Sequence, residues 1–347
     1  MKLPRLGRRY WEARLRGWPR PKAATEGYSL LVPVPGDLPV FLRLALAVCR
    51  HQRSAYRVET IVVPDRLTKD MRDLVSEARV DWPGELYLQP LPRPERWALP
   101  MLGNAGRNHA MQFISGVARS RATHVVLHDA DLFLLARDQL DRQFEMCRDR
   151  GLACLGVSPA WDKWFAEHDR QLAATWELCA QVKWVRAFMP ALHMAHDDEF
   201  FGEQHTFDTT FYPQVLTDQS LIGVEPSDDI VHFNYVISNY RGFIRRSGDS
   251  WLDGRFLLLL TSVFVELFDH ERWRVYRLPS LSELADCVGE KTGPIRFPEA
   301  EAGEEDYRRF RALLGRALTG PWVADGQRDL AVDALAPFDR FYGLLHG

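Results

Sequence analysis

Residues 103–135, GNAGRNHAMQFISGVARSRATHVVLHDADLFLL, decide how the chain is read. Gly103 to Asn108 reads as a glycine-containing turn that opens a helix. In that helix Ala110, Phe113, Ile114, Val117 and Ala118 recur at the i, i+3, i+4, i+7 spacing of one apolar face. His124 to Leu127 is a short apolar run, as a buried parallel strand would be. It runs directly into His128-Asp129-Ala130-Asp131. In extended backbone, residues i and i+2 project to the same side. Asp129 and Asp131 therefore present two carboxylates toward one point, with small Ala130 between them.

Upstream, the pattern alternates. Tyr28 to Pro35 (YSLLVPVP), Val58 to Val63 (VETIVV) and Glu85 to Leu91 read as strands, and Val40 to Arg50 and Lys69 to Ala78 as helices. This alternation predicts an α/β fold with a mostly parallel sheet flanked by helices. Ligands of such sheets sit at the carboxyl ends of the strands, so Asp65 and Asp129 should face one crevice. Downstream the periodicity loosens into an aromatic-rich stretch, Trp161 to Trp184, and an acidic one, Asp197 to Glu203. Phe256 to Phe268 reads as a buried helix, and the chain from Ser280 as helical and polar. The expected organisation is a basic arm over 1–27, a main domain over 28–275 and a helical extension over 276–347.

Bulk composition narrows the function. The chain has 347 residues, 46% hydrophobic and 26% charged, with a formal net charge of -3. That charge provides no field to recruit nucleic acid. Five scattered cysteines without a Cys-x-x-Cys pair argue against a disulfide framework and a thiolate zinc site. The run 256–268 contains Glu266 and falls short of the roughly 20 residues a bilayer needs. A cytoplasmic enzyme is the expectation. Residues 1–22 are rich in Arg and Lys, with Tyr10, Trp11, Leu15 and Trp18 among them. They fit either a basic helix in peripheral contact with an anionic membrane or an arm packed on the domain. Pro4, Pro19 and Pro21 confine any helix to the middle.

The aspartate pair suggests metal chemistry. Hard cations such as Mn2+ or Mg2+ take carboxylate oxygens and leave room for phosphate oxygens. Such a cation suits a substrate that departs as a diphosphate. The plainer alternative is a turn whose carboxylates cap a helix.

Three segments, SLLVPVP (29–35), TIVVPD (60–65) and the 103–135 run, resemble in that order the GT-A glycosyltransferases. The resemblance covers roughly Tyr28 to Leu135. It implies the GT-A sheet of nucleotide-diphospho-sugar transferases, followed by a helical C-terminal extension. It implies metal-dependent transfer of a hexosyl group from a nucleotide sugar to a carbohydrate or other hydroxyl acceptor. Asp129 and Asp131 would ligate the cation, joined by His232 from the C-terminal half. Val32, Pro33, Asp65, Arg107 and Asp129 would line the donor site, with Asp65 on the base. Arg241, Arg245 and Arg246 could bind diphosphate or form a solvated basic turn.

Two departures stand out. Pro64-Asp65-Arg66 replaces the commoner acidic pair followed by Gly and Ser, and the Trp-Gly-x-Glu-Asp acceptor motif is absent. His196 to Glu203 stands in that motif's region. An inverting enzyme needs a carboxylate to deprotonate the acceptor. Asp197, Asp198, Glu199 and Glu203 are the candidates, Asp198 first for its central position; a solvated acidic loop is the alternative. A sugar nucleotidyltransferase would carry a glycine-rich basic loop after the first strand, where this chain has Pro35-Gly36-Asp37-Leu38-Pro39. A Rossmann dehydrogenase needs Gly-x-Gly-x-x-Gly there. A non-catalytic carbohydrate-binding module that kept the fold is the remaining rival.

Overall fold

The computed structural model describes residues 3–159, 164–226, 228–232, 236–245, 255–269, 275–278, 303–320, 322–323 and 326–344. Trp161, Arg246 and all of 279–302, Cys287 included, lie outside them. Two compact units are formed. One comprises Met1–Arg43, Gln52–Ala130 and Asp138–Ser227; the other comprises Leu44–His51, Asp131–Arg137 and Asp228–Gly347.

The strands, in chain order, are β1 (Thr25–Val34), β2 (Arg57–Pro64), β3 (Glu85–Leu88), β4 (Ala122–His128), β5 (Leu132–Leu134), β6 (Cys154–Val157), β7 (Glu177–Gln181), β8 (His196–Phe200), β9 (Glu203–Phe207), β10 (Ile222–Glu225) and β11 (Ile230–His232). The first unit holds a seven-stranded sheet in the order β10-β6-β7-β4-β1-β2-β3. Only β7 runs against its neighbours; the other six are parallel. The sheet is thus mostly parallel, as the alternation predicted. The last eight residues of β1 and the last six of β2 are all buried, which suits their mainly apolar sequence; of the polar exceptions, Ser29 donates to Glu59 at 2.9 Å and Thr60 accepts from the Trp82 indole at 3.2 Å.

Helices α1 (Leu3–Arg14), α2 (Pro39–Arg50), α3 (Lys69–Ala78), α4 (Arg93–Leu102), α5 (Ala105–Arg119) and α6 (Gln139–Asp149) accompany it. On α5, Phe113, Ile114 and Val117 enter a core cluster with Leu31, Ile61, Val125 and Leu127 of the sheet. Asn104 caps this helix by accepting the Arg107 N–H at 2.8 Å. Two elements differ from the sequence reading. β3 stops at Leu88, and α4 follows where no helix was expected. Pro94 sits in the first turn of α4, where a missing N–H costs nothing, and Pro100 near its end. In α1, Trp11 is 2% exposed and joins the same core, with Tyr10, Leu15 and Trp18 packed beside it.

In the second unit β5 and β11 pair antiparallel. Phe133 of β5 packs on Phe264 and Phe268 of the helix Arg255–Phe268, with ring centroids 5.0 and 5.6 Å away. Phe268 in turn stacks on Trp322 at 4.8 Å. The helices Gly303–Ala317 and Gln327–Phe341 are joined through Asp339, which accepts from Tyr307 and from two nitrogens of Arg311 at 2.7–3.0 Å. The C-terminal part is therefore helical, as expected. Among the described residues no helix is long and apolar enough to cross a membrane. The four described cysteines, Cys49, Cys147, Cys154 and Cys179, are all buried.

Candidate metal and donor site

In the first unit β1 and β4 part before β1 ends. Their pairing ends at Leu31 opposite Leu127, while β1 continues beside β2 as far as Val34 opposite Pro64. The chain proceeds from β1 to β2 and β3 on one side and places β4 on the other. The β1–β4 boundary is thus a topological switch point, where open α/β sheets bind ligands. Val32 and Pro33 lie there, and both are buried. Asp65 follows β2. Its N–H donates to the Val34 carbonyl at 3.2 Å and its Oδ1 accepts the Gly36 N–H at 2.6 Å. A Cβ on Gly36 would collide with the Arg66 carbonyl, so this tight turn requires glycine. Asp65 braces the turn after β1 with one carboxylate oxygen.

Asp129 directly follows β4, and its N–H donates to the Trp176 carbonyl at 2.9 Å. Beneath it His128 and Glu177 face each other across β4 and β7, Nδ1 to Oε2 at 2.6 Å, both fully buried. Burial pushes the Glu177 carboxyl up, against the opposing pull of His128. The Asp129 Oδ1 lies 2.9 Å from Nε2 of His109 on α5. Nδ1 of His109 lies 3.1 Å from the Thr209 hydroxyl. Neither His109 nor Thr209 stood out in the sequence; His109 had only its place in the first turns of α5 as a signal. Beside Thr209, Thr210 has φ 63°. That is a left-handed backbone a β-branched residue rarely adopts.

In the second unit Asp131 precedes β5, and the register sets Leu132 opposite His232. The Asp131 Oδ1 and the His232 Nε2 are 3.7 Å apart, with side chains 7% and 14% exposed. The Leu135 N–H closes the far end of this pair onto the Asp229 carbonyl at 2.8 Å. Arg316 reinforces it by donating to the Asp228 carbonyl and the Asp229 carboxylate. The 3.7 Å gap is too wide for a hydrogen bond. It suits one shared ion, since two ligands at about 2.1 Å from a metal can be separated by at most about 4.2 Å. A carboxylate with an imidazole is a donor set that Mn2+ accepts. Asp129 stands two residues before Asp131, so their Cα atoms lie within about 7 Å whatever the local conformation.

The acidic segment is a β-hairpin, β8 with β9, turning through Phe201 (φ 53°) and Gly202 (φ 79°). Three of the four candidate bases have side-chain partners. Asp198 accepts from Arg8 at 3.0 Å, Asp197 from the Thr206 hydroxyl at 2.7 Å, and Glu203 from the Trp164 indole at 2.8 Å. Partial burial raises the Asp198 pKa, but the Arg8 bond, the Glu199 N–H and the charges of Arg8 and His196 outweigh it. The carboxyl is held below its ordinary value. Arg107 donates to the carbonyls of Leu102 at 2.9 Å and Ala195 at 3.4 Å. It lines a small pocket with Arg8, Trp11 and His196. Arg241 is partly buried and Arg245 exposed, both on the helix Val236–Arg245.

No family model matches the chain, and no curated protein matches it. Among solved structures it is similar to a mannosyltransferase from Pyrobaculum calidifontis in complex with GDP-Man and Mn2+. The identity is 14% and the TM-score 0.42, over 99% of this chain and 94% of that one. It is similar also to residues 1–349 of TarS from S. aureus, at 14% identity and TM-score 0.40, over 91% and 89% of the two chains. A third is core-mannan synthase A from Aspergillus fumigatus in a Mn/GDP form, at 11% identity and TM-score 0.32. That alignment covers 48% of this chain and 63%, less than two thirds, of the other. The chemistry of the site rests on the chain's own residues.

Proposed function

We propose that this protein is a metal-dependent glycosyltransferase, moving a sugar from a nucleotide-diphosphate donor to an acceptor hydroxyl. The observation that carries this reading is the Asp131–His232 pair at 3.7 Å, two residues beyond a carboxylate that ends a parallel strand at the switch point. Asp129, Asp131 and His232 would hold Mn2+ or Mg2+. A cation so held neutralises charge developing on the leaving diphosphate. Val32, Pro33, Asp65 and Arg107, with Asp129, would line the donor site. One of Asp197, Asp198 and Glu203 would take the acceptor proton. The donor-binding domain would span 28–275, with the arm 1–27 before it and the extension 276–347 after it. A cytoplasmic location and a peripheral membrane contact through the arm complete the proposal.

Asp131→Asn keeps the shape and removes one negative charge, so packing should survive. Turnover with a nucleotide sugar should fall about 10²-fold or more, the scale of losing one electrostatic stabiliser. Turnover should fall more than donor affinity, because the leaving group's charge grows in the transition state. Transfer that is indifferent to EDTA, or near normal in Asp131→Asn, would refute the metal mechanism. Donor binding that ignores Mn2+ would favour the non-catalytic module.

A further inference from the structure

Asp129, His109 and Thr209 form a chain of carboxylate, imidazole and hydroxyl, with steps of 2.9 and 3.1 Å. In that order the groups resemble a nucleophilic triad. Thr209 rules that out, because it is fully buried and cannot meet a substrate. The chain therefore acts in the opposite direction, on the carboxylate.

We propose that His109 is a positioning residue that orients Asp129 for a divalent cation, and that Thr209 sets its tautomer. This rests on the metal reading given above. An ionised carboxylate can only accept, so the proton shared with Asp129 belongs to Nε2 of His109. In the neutral ring Nδ1 is then an acceptor, and the Thr209 hydroxyl is its donor. The Gly106 carbonyl competes for that hydroxyl proton from 3.3 Å, slightly farther than the ring nitrogen. With one Asp129 oxygen fixed by His109, the carboxylate loses its freedom to rotate before the cation arrives. Partners of this kind are known to tune metal affinity without touching the ion.

The surroundings hold the brace still. The loop carrying Thr209 has the left-handed Thr210, whose N–H donates to the His193 carbonyl at 3.1 Å and whose hydroxyl accepts from Gln214 at 3.3 Å. On the other side the start of α5 approaches closely. A Cβ on Gly106 would come within 3.0 Å of the Ala195 Cβ and 3.2 Å of the Asp208 carboxylate. Strained backbone persists only where its surroundings over-determine it, and it concentrates at functional sites.

The test measures Mn2+ affinity directly, by the electron paramagnetic resonance signal of free Mn2+, without nucleotide or turnover. His109→Leu should bind Mn2+ about 10-fold to 100-fold more weakly than the unaltered protein. His109→Gln, which keeps a donor, should lose less. Thr209→Val preserves shape and removes the hydroxyl, so it should weaken Mn2+ several-fold at an unchanged Tm. If His109→Leu does not fold, Thr209→Val decides. A structural role alone would lower Tm and leave Mn2+ affinity within twofold, which would overturn the proposal. Two failures can be told apart. If the unaltered protein binds no Mn2+, the metal reading falls and this one with it. If Asp131→Asn abolishes Mn2+ binding while His109→Leu and Thr209→Val bind normally, only the positioning role is lost.

Discussion

His193 is wholly buried, and its Nε2 donates to the Val185 carbonyl at 2.9 Å while Nδ1 finds no partner among the described residues. Burial disfavours the imidazolium, and the Val185 bond offsets this only in part, so the pKa is pushed down to about 4. The unfolded chain takes up this proton near pH 6.5. Between about 4 and 6.5 the unfolded state binds more protons, so stability is lost as pH falls through that window. Full protonation of the unfolded form would cost about 3 kcal/mol. Urea midpoints at pH 7 and pH 4.5 should therefore differ less in His193→Gln than in the unaltered protein; equal differences would contradict the assignment. His232 offers a contrasting case at the proposed metal shell. His232→Ala should leave the urea midpoint nearly unchanged and raise the Mn2+ concentration needed for half-maximal transfer. An unchanged Mn2+ requirement would return His232 to a packing role.

At the scale of elements, α1 and the β8–β9 hairpin are held together by Arg8, which donates to the Asp198 carboxylate and the Asp197 carbonyl, both at 3.0 Å. Trp11 inserts into the core from the same helix, so Trp11→Ala should cost about 3–5 kcal/mol, read as a lowered denaturant midpoint. The apolar face of the arm is already committed to the domain. Any membrane contact must then come from exposed basic groups such as Arg9, Arg16 and Arg20. Vesicles with anionic lipid should co-sediment the protein at low salt and release it as salt rises, and indifference to lipid charge would refute that contact. β1 to β4 and α5 were legible because apolar runs and the 3.6-residue period announce them. The hairpin was not, because His196 to Phe207 lacks the apolar alternation of a half-buried strand and is stabilised by pairings such as Trp164 with Glu203. Proline content concealed α4. Asp129 and Asp131 were visible from their two-residue spacing, and the structure sets His232 beside Asp131 through the β5–β11 register. His109 and Thr209 were invisible because 100 residues of sequence separate them, and no periodic pattern encodes such a meeting.

For the molecule as a whole, the proposed reaction requires the cation and the nucleotide to reinforce one another's binding. The net charge of -3 gives no general attraction for a polyanionic diphosphate, so its affinity must come from the site itself. Asp129 and Asp131 without a cation would repel the diphosphate at short range, whereas a bound Mn2+ reverses the sign of the local field. Nucleotide affinity should therefore depend steeply on Mn2+, and by linkage Mn2+ affinity should rise equally with nucleotide present. Ligands that bind only the native state stabilise it by mass action, about 2.7 kcal/mol at 100 times Kd. For a chain of this size that corresponds to a Tm rise of roughly 4 °C. UDP, GDP and dTDP sugars, each with Mn2+, Mg2+ or EDTA, form the screen. One base should raise Tm by several degrees with Mn2+ and hardly at all with EDTA, and Asp131→Asn should abolish the difference. A rise of the same size in EDTA would mean that the nucleotide is held without the aspartates, and the donor site would have to lie elsewhere.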